Sequence, residues 1–233
     1  MKGLLLIAGI GAVASAHAGT ISSIYSKEFD KRVQFESTFG SGHNDLNTVR
    51  WLGDRTGGTD TNIADLYKAY CVEIGEFINT GVETTHNVHP LLGSTTQSGG
   101  ITGPVSFNAT RTKNLETLWG TFHGSVMDDK TSAAFQLAVW ETAFDDDLTL
   151  TDKSGKMFGV DRNGGTPGIQ LDPVSTLAQS WLTAVKTGAA TKTQALYLLK
   201  SDGAQDLITP VPEPATMLAL GVGLAAIARK RRK

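Results

Sequence analysis

The chain of 233 residues has one cysteine, Cys71. A single thiol excludes any internal disulfide framework, the usual staple of small exported domains. No apolar run reaches the about 20 residues that a bilayer crossing requires. Repeats of fixed period and low-complexity tracts are absent as well, which excludes solenoids and biased linkers. Positive charge is scarce in the middle of the chain: Lys2 and the five residues Arg229 to Lys233 hold 6 of the 21 cationic side chains, and of the 23 acidic ones only Glu213 lies in the terminal stretch. The body between the two ends is therefore near −7, and a surface of that sign excludes nucleic acid as a partner, since phosphate binding needs clustered cations.

The two ends read as targeting segments. Lys2 gives a positive start, Gly3 to Ala14 (GLLLIAGIGAVA) an apolar stretch, and Ala16-His17-Ala18 the small-x-small pattern that signal peptidase cleaves. Residues 1–18 are thus expected to be a removable export signal. At the other end Thr209 to Pro214 (TPVPEP) breaks regular structure because proline lacks the N–H and restricts its predecessor. Ala215 to Ala228 (ATMLALGVGLAAIA) follows without a charge, then five basic residues. At 1.5 Å per residue that run covers about 21 Å of a hydrocarbon core near 30 Å, so it is a weak permanent anchor whose basic end stays cytoplasmic. The order of motif, short apolar helix and basic end resembles the PEP-CTERM sorting signal of Gram-negative exopolysaccharide producers, with Val211, Pro212, Glu213 and Pro214 as the motif. The resemblance implies processing by an exosortase, transient membrane residence, and delivery to the cell surface or extracellular matrix. The domain plan is 1–18 signal peptide, 19–208 extracellular domain and 209–233 sorting signal.

The body is long enough for one sizeable core. Its first part, Ile21 to Pro104, is rich in Thr, Gly, Asn and Ser, with β-like pieces at Arg32 to Ser37 and Ala69 to Asn79. From Lys113 to Phe144 the period turns helical, with Leu115, Leu118, Trp119 and Phe122, then Ala133, Leu137 and Trp140. These predict two helices joined around Gly124 to Lys130. A third is expected from Leu177, Trp181, Leu182 and Val185, capped at Ser175 and stopped by Gly188. Ser201-Asp202-Gly203 marks a closing hairpin. The fold class is α+β: a β-rich body with about three helices and a C-terminal hairpin.

On a strand from Ala69 to Asn79, Tyr70, Val72 and Ile74 share one face and Cys71, Glu73 and Gly75 the other, so Cys71 leaves the apolar face. The segment Ser132 to Glu141 is apolar nearly all round, the pattern of a buried helix, yet it carries Gln136. A buried carboxamide without a partner costs about 1–3 kcal/mol. The partner is either a backbone group or the thiol of Cys71, which could attack the carboxamide, expel ammonia and form an internal thioester. Tyr70-Cys71 with Gln136-x-Ala138-x-Trp140 resembles the thioester domains of bacterial surface adhesins. That resemblance implies a Cys71–Gln136 bond, Ala138 and Trp140 as helix packing, and covalent adhesion to an extracellular target bearing an amine or hydroxyl, or to exopolysaccharide. Phe135 stands where those adhesins carry a small hydroxyl residue. The alternative is a non-covalent structural or matrix-binding protein of the same fold.

Other constellations are weaker. His86 and His89, three apart without a third ligand, read as a solvated loop rather than zinc. Asp145 to Asp147 and Asp161 to Thr166 read as turns rather than calcium loops, the second lacking glycine at its sixth position. A hydrolase pairing Cys71 with His86, His89 or His123 lacks a nucleophile motif. The expectation is no enzyme, no catalytic set, no cofactor and no metal.

Overall fold

A computed structural model describes residues 19–37, 43–74, 76–96, 103–151, 156–159 and 173–212. The export signal at 1–18, the acidic loop at 161–166, and Glu213 onward with the apolar run of the sorting signal lie outside these residues. Among the described residues no helix is long and apolar enough to cross a membrane.

Among the described residues, seven strands and three α-helices form the body. The strands are β1 (Gly19–Ser37), β2 (His43–Gly58), β3 (Leu66–Cys71), β4 (Glu83–Pro90), β5 (Met157–Gly159), β6 (Leu196–Lys200) and β7 (Leu207–Pro210). The helices are α1 (Ala109–Phe122), α2 (Asp129–Phe144) and α3 (Pro173–Lys186). All strand pairings are antiparallel, in the order β2-β3-β7-β6-β4-β1-β5, and a further β1–β2 pairing closes six of the strands into a barrel. Closure leaves β3, β4, β6 and β7 paired on both sides, which reduces the free edge that would otherwise invite aggregation in an exported chain. β1 bends around the barrel through two register shifts, at Ser22/Ser23 and Lys27/Phe29, and so pairs with β2, β4 and β5 in turn.

Inside the barrel Tyr25 meets Trp51, Tyr67 and His86 edge-on, with Ile21 and Val88 buried nearby, while Tyr70 packs against Trp119, His123 and Phe135 on the helical side. Tyr67 fits because position 53 on the facing strand is glycine: a Cβ there would meet its ring at 2.5 Å. α2 is buried along nearly its whole length, touching α1, α3 and strands β1, β2 and β3. Asp128 caps it, accepting the Thr131 N–H at 2.7 Å while the Thr131 hydroxyl accepts the Asp128 N–H at 3.1 Å.

The two helices expected between Lys113 and Phe144 are present, joined by a 3-10 turn at His123–Ser125. α3 begins at Pro173, so Ser175 lies in its first turn instead of capping it; Gly188 follows with φ +74°. The β6–β7 hairpin is present. Two expectations are corrected. The strand expected over Ala69 to Asn79 ends at Cys71, and both faces of its last stretch are covered, since Tyr70, Cys71, Val72, Glu73 and Ile74 are all buried. The segment with His86 and His89 is strand β4 and not a loop. Its alternation buries His86 with Val88 and leaves His89 half-exposed, so two imidazoles three apart face opposite sides.

Candidate functional site

Cys71 occupies the point where the β2–β3 ladder ends. The two strands are paired from Asp54↔Leu66 to Trp51↔Ala69, and beyond Trp51 β2 continues with β1 alone. On its other edge β3 stays joined to β7 through Tyr70↔Ile208 and Cys71↔Leu207, and the Val72 N–H donates to Asp206 O at 3.1 Å. The divergence leaves the N–H and C=O of Cys71 without a strand partner, an arrangement too costly to bury unpaired. Gln136 of α2 supplies the missing pair. Its Oε1 accepts the Cys71 N–H at 3.0 Å, and its Nε2 donates to Cys71 O at 2.8 Å. The structure therefore brings Cys71 and Gln136 together through the main chain of the cysteine, the backbone option among the two expected for that carboxamide.

The thiol has a different acceptor. Cys71 Sγ–H donates to Gln205 Oε1 at 2.7 Å, and the Trp51 indole N–H donates to Sγ at 3.2 Å. Gln205 lies in the turn between β6 and β7 and is held at both its side chain and its main chain. Its Nε2 donates to Glu73 O at 2.7 Å, the His86 ring Nε2 lies 3.3 Å from Gln205 O, and the next residue's N–H donates to Glu73 Oε2 at 3.0 Å. Behind His86 a buried relay continues: Nδ1 lies 3.3 Å from the Tyr25 hydroxyl, which lies 2.6 Å from that of Tyr67.

Electrostatics follow from the burial. The Cys71 thiol is pushed up to about 12, chiefly by desolvation, with the Trp51 N–H working the other way. Sulfur is thus a protonated donor at neutral pH, consistent with its bond to a carbonyl oxygen. Desolvation also lifts the Glu73 carboxyl to about 8, against the pull of the Asp206 N–H, and drops His86 to about 4. A neutral His86 donates through Nε2–H to Gln205 O and accepts at Nδ1.

Divergence of β2 from β3 also opens a cleft of about 450 Å³ over the thiol. Cys71, Gln205, Trp51, Trp140, Phe77 and Glu76 are among its lining residues. Trp140, expected only as helix packing, forms part of this wall, whereas Ala138 is fully buried in the core. Gln205 is the site residue that sequence reasoning missed. It stands beside a hairpin turn with no periodic pattern around it, and only its burial at 7% exposure distinguishes it from an ordinary turn glutamine.

The side-chain bonds of Cys71 run to Trp51 and Gln205, and the histidines sit elsewhere: His86 on the Gln205 main chain, His123 stacked on Trp119. Among the described residues no group of three or more His, Cys, Asp or Glu is placed to hold a metal. The acidic tract after α2 binds backbone instead: Asp145 Oδ2 accepts the N–H groups of Lys156 and Met157 at 2.7 and 2.8 Å.

Comparison with protein families matches residues 210–233 to the PEP-CTERM protein-sorting motif. No curated protein and no solved structure matches the chain. The motif marks an exported, membrane-transiting protein that is a substrate for exosortase processing. Of the matched residues, Pro210, Val211 and Pro212 are described; Pro210 ends β7, and Val211 is tied to the barrel by its N–H to Ala195 O at 2.8 Å.

Proposed function

We propose that this exported protein binds covalently to an extracellular target through an internal thioester, with Cys71 as the sulfur and Gln205 as the acyl group, at the surface or in the exopolysaccharide matrix of a Gram-negative cell. The observation that carries the reading is the 2.7 Å contact between the buried Cys71 Sγ and Gln205 Oε1 in the wall of an open cleft, which sets the sulfur beside the carboxamide it would attack. Reacting groups held at about 3–3.5 Å in a fixed orientation are a precondition for this chemistry. Sulfur attacks Gln205 Cδ, the C–S bond forms, the C–N bond breaks, and the thiol proton leaves on ammonia. The Trp51 N–H, by donating to Sγ, holds the sulfur in position, and Glu73 O, by accepting from Nε2, orients the carboxamide nitrogen that departs. A nucleophile entering the cleft then takes the Gln205 acyl group and releases the thiol. In this reading Gln136 is a positioning residue that holds the Cys71 main chain, and Ala138 and Trp140 keep its helix in place.

Intact mass tests it. The purified body is expected about 17 Da below its sequence mass, with no free thiol under denaturing conditions, and Cys71→Ala and Gln205→Ala are each expected at full mass. A wild-type protein of full mass with a titratable thiol would leave the cleft as a non-covalent binding site and end the covalent reading.

A further inference from the structure

Resting on the thioester reading, we infer that Glu76 is the group that receives the incoming nucleophile, binding a primary ammonium in the cleft and removing its proton as the amine attacks Gln205. Glu76 lines the same cleft as Cys71 and Gln205, on the segment that runs outward from the end of β3. Its Oε2 is buried and has no hydrogen-bond partner among the described residues. A buried carboxylate oxygen left unpaired costs free energy, and a donor bound in the cleft that Glu76 lines would offset that cost.

The charged groups around it fit this role. Glu73 lies near enough for Glu76 to raise its pKa, and its Oε1 is likewise buried without a partner among the described residues. Glu73, however, is fully enclosed, is not among the residues lining the cleft, and has its Oε2 engaged by the Asp206 N–H. The cations of the cleft are Lys27 and Arg32, both on β1, and the Lys27 ammonium is 2.7 Å from Asp30 Oδ2. Trp51, Ile74, Phe77 and Ile78 supply apolar walls on which the methylenes of an alkyl amine can lie.

A primary amine at neutral pH is mostly the ammonium form, which is no nucleophile. At Glu76 the ammonium passes one proton to Oε2. The neutral nitrogen attacks Gln205 Cδ, the C–N bond forms and the C–S bond breaks. A second nitrogen proton goes to sulfur and restores the Cys71 thiol, and Glu76 returns its proton to water. General-base assistance of this kind contributes about 10²–10⁴ in rate.

The experiment uses the purified exported body and two probes, methylamine and hydroxylamine, with incorporation followed by intact mass. Methylamine arrives as the ammonium and needs Glu76; hydroxylamine is already neutral at pH 7 and does not. Glu76→Gln is expected to keep the 17 Da deficit of the thioester, to slow methylamine capture on the order of 10²-fold, and to leave hydroxylamine capture within about threefold of wild type. Glu76→Asp, which keeps a carboxylate, is expected to recover part of the methylamine rate. Unchanged methylamine capture in Glu76→Gln would overturn the assignment, as would an equal loss with both probes, which is the mark of a structural effect. A Glu76→Gln protein without the mass deficit would also overturn it, placing the residue in bond formation instead. Absence of the deficit in the wild type refutes the thioester itself and is read separately.

Discussion

Replacing Glu141 with glutamine should stabilise the protein, and do so increasingly as pH rises. Glu141 lies on α2 with none of its surface exposed, and burial pushes its carboxyl up to about 10, reinforced by the nearby Asp145 and Asp147 carboxylates. The folded state therefore holds its proton at neutral pH, while the unfolded chain releases it above about 4.5. Stability associated with this group is fully present below about pH 4.5 and is lost as pH rises toward 10, at about 1.4 kcal/mol per pH unit. Glutamine cannot ionise, and its Oε1 can still accept the Thr149 N–H that Glu141 accepts at 2.9 Å. The gap between Glu141→Gln and wild type should be near zero at pH 4.5 and should widen by ~3 kcal/mol between pH 5 and pH 7. For a body of this size that corresponds to roughly 6–10 °C in Tm. Thermal melts of both proteins at half-unit pH intervals measure it. Parallel Tm curves across that range would mean that Glu141 is ionised in the fold, and the reasoning from burial would fail.

His86 predicts the opposite limb. Its pKa is lowered to about 4 from an ordinary 6.5, so its contribution is intact above pH 6.5 and fades as pH falls to 4, a loss of ~3 kcal/mol that His86→Gln should remove in urea titrations; identical acid limbs in the two proteins would refute it. Gln136→Ala should cost about 2–4 kcal/mol, because it leaves the N–H and C=O of Cys71 buried without partners and opens a cavity in the packing of α2. Urea unfolding that finds less than 1 kcal/mol would mean that β2 closes onto β3 in its place.

The helices and the last hairpin are legible in the sequence because their signals are local. Leu115, Leu118 and Trp119, and Ala133, Leu137 and Trp140, are all buried where their spacing places them. The barrel is not legible. β1 alternates buried Ile21, Ser23 and Tyr25 with exposed or half-exposed Ser22, Ile24 and Ser26, and its pairing with β2 shifts register at Ser22/Ser23 and again at Lys27/Phe29. Its long pairing with β2 depends on register, which only the partner strand defines. The same limit hides the end of β3: nothing local says that β2 leaves at Trp51, and that departure determines both the cleft and the task of Gln136. The sequence identifies Gln136 as a buried carboxamide in need of a partner, and its partner in the fold is the main chain of Cys71. The carboxamide that meets the sulfur belongs to Gln205, 134 positions further along the chain.

That separation bears on the lone cysteine. Cys71 and Gln205 are 134 positions apart, and they meet only when β7 enters between β3 and β6 and closes the barrel. A bond between them would cross-link the chain over a loop longer than most disulfides span. In the chain-entropy picture such a closure restricts the unfolded state by an amount equivalent to about 4–5 kcal/mol, and it needs no second cysteine. β7 ends at Pro210, where the matched sorting motif begins. The strand that follows Gln205 is therefore the last described element before the segment an exosortase handles. Processing around Pro212 to Pro214 leaves the β6–β7 ladder and the Val211 bond to Ala195 untouched. Gln205 and the sorting signal adjoin in sequence yet share no hydrogen bond among the described residues, so removal of the signal leaves the contacts between Cys71 and Gln205 as they are.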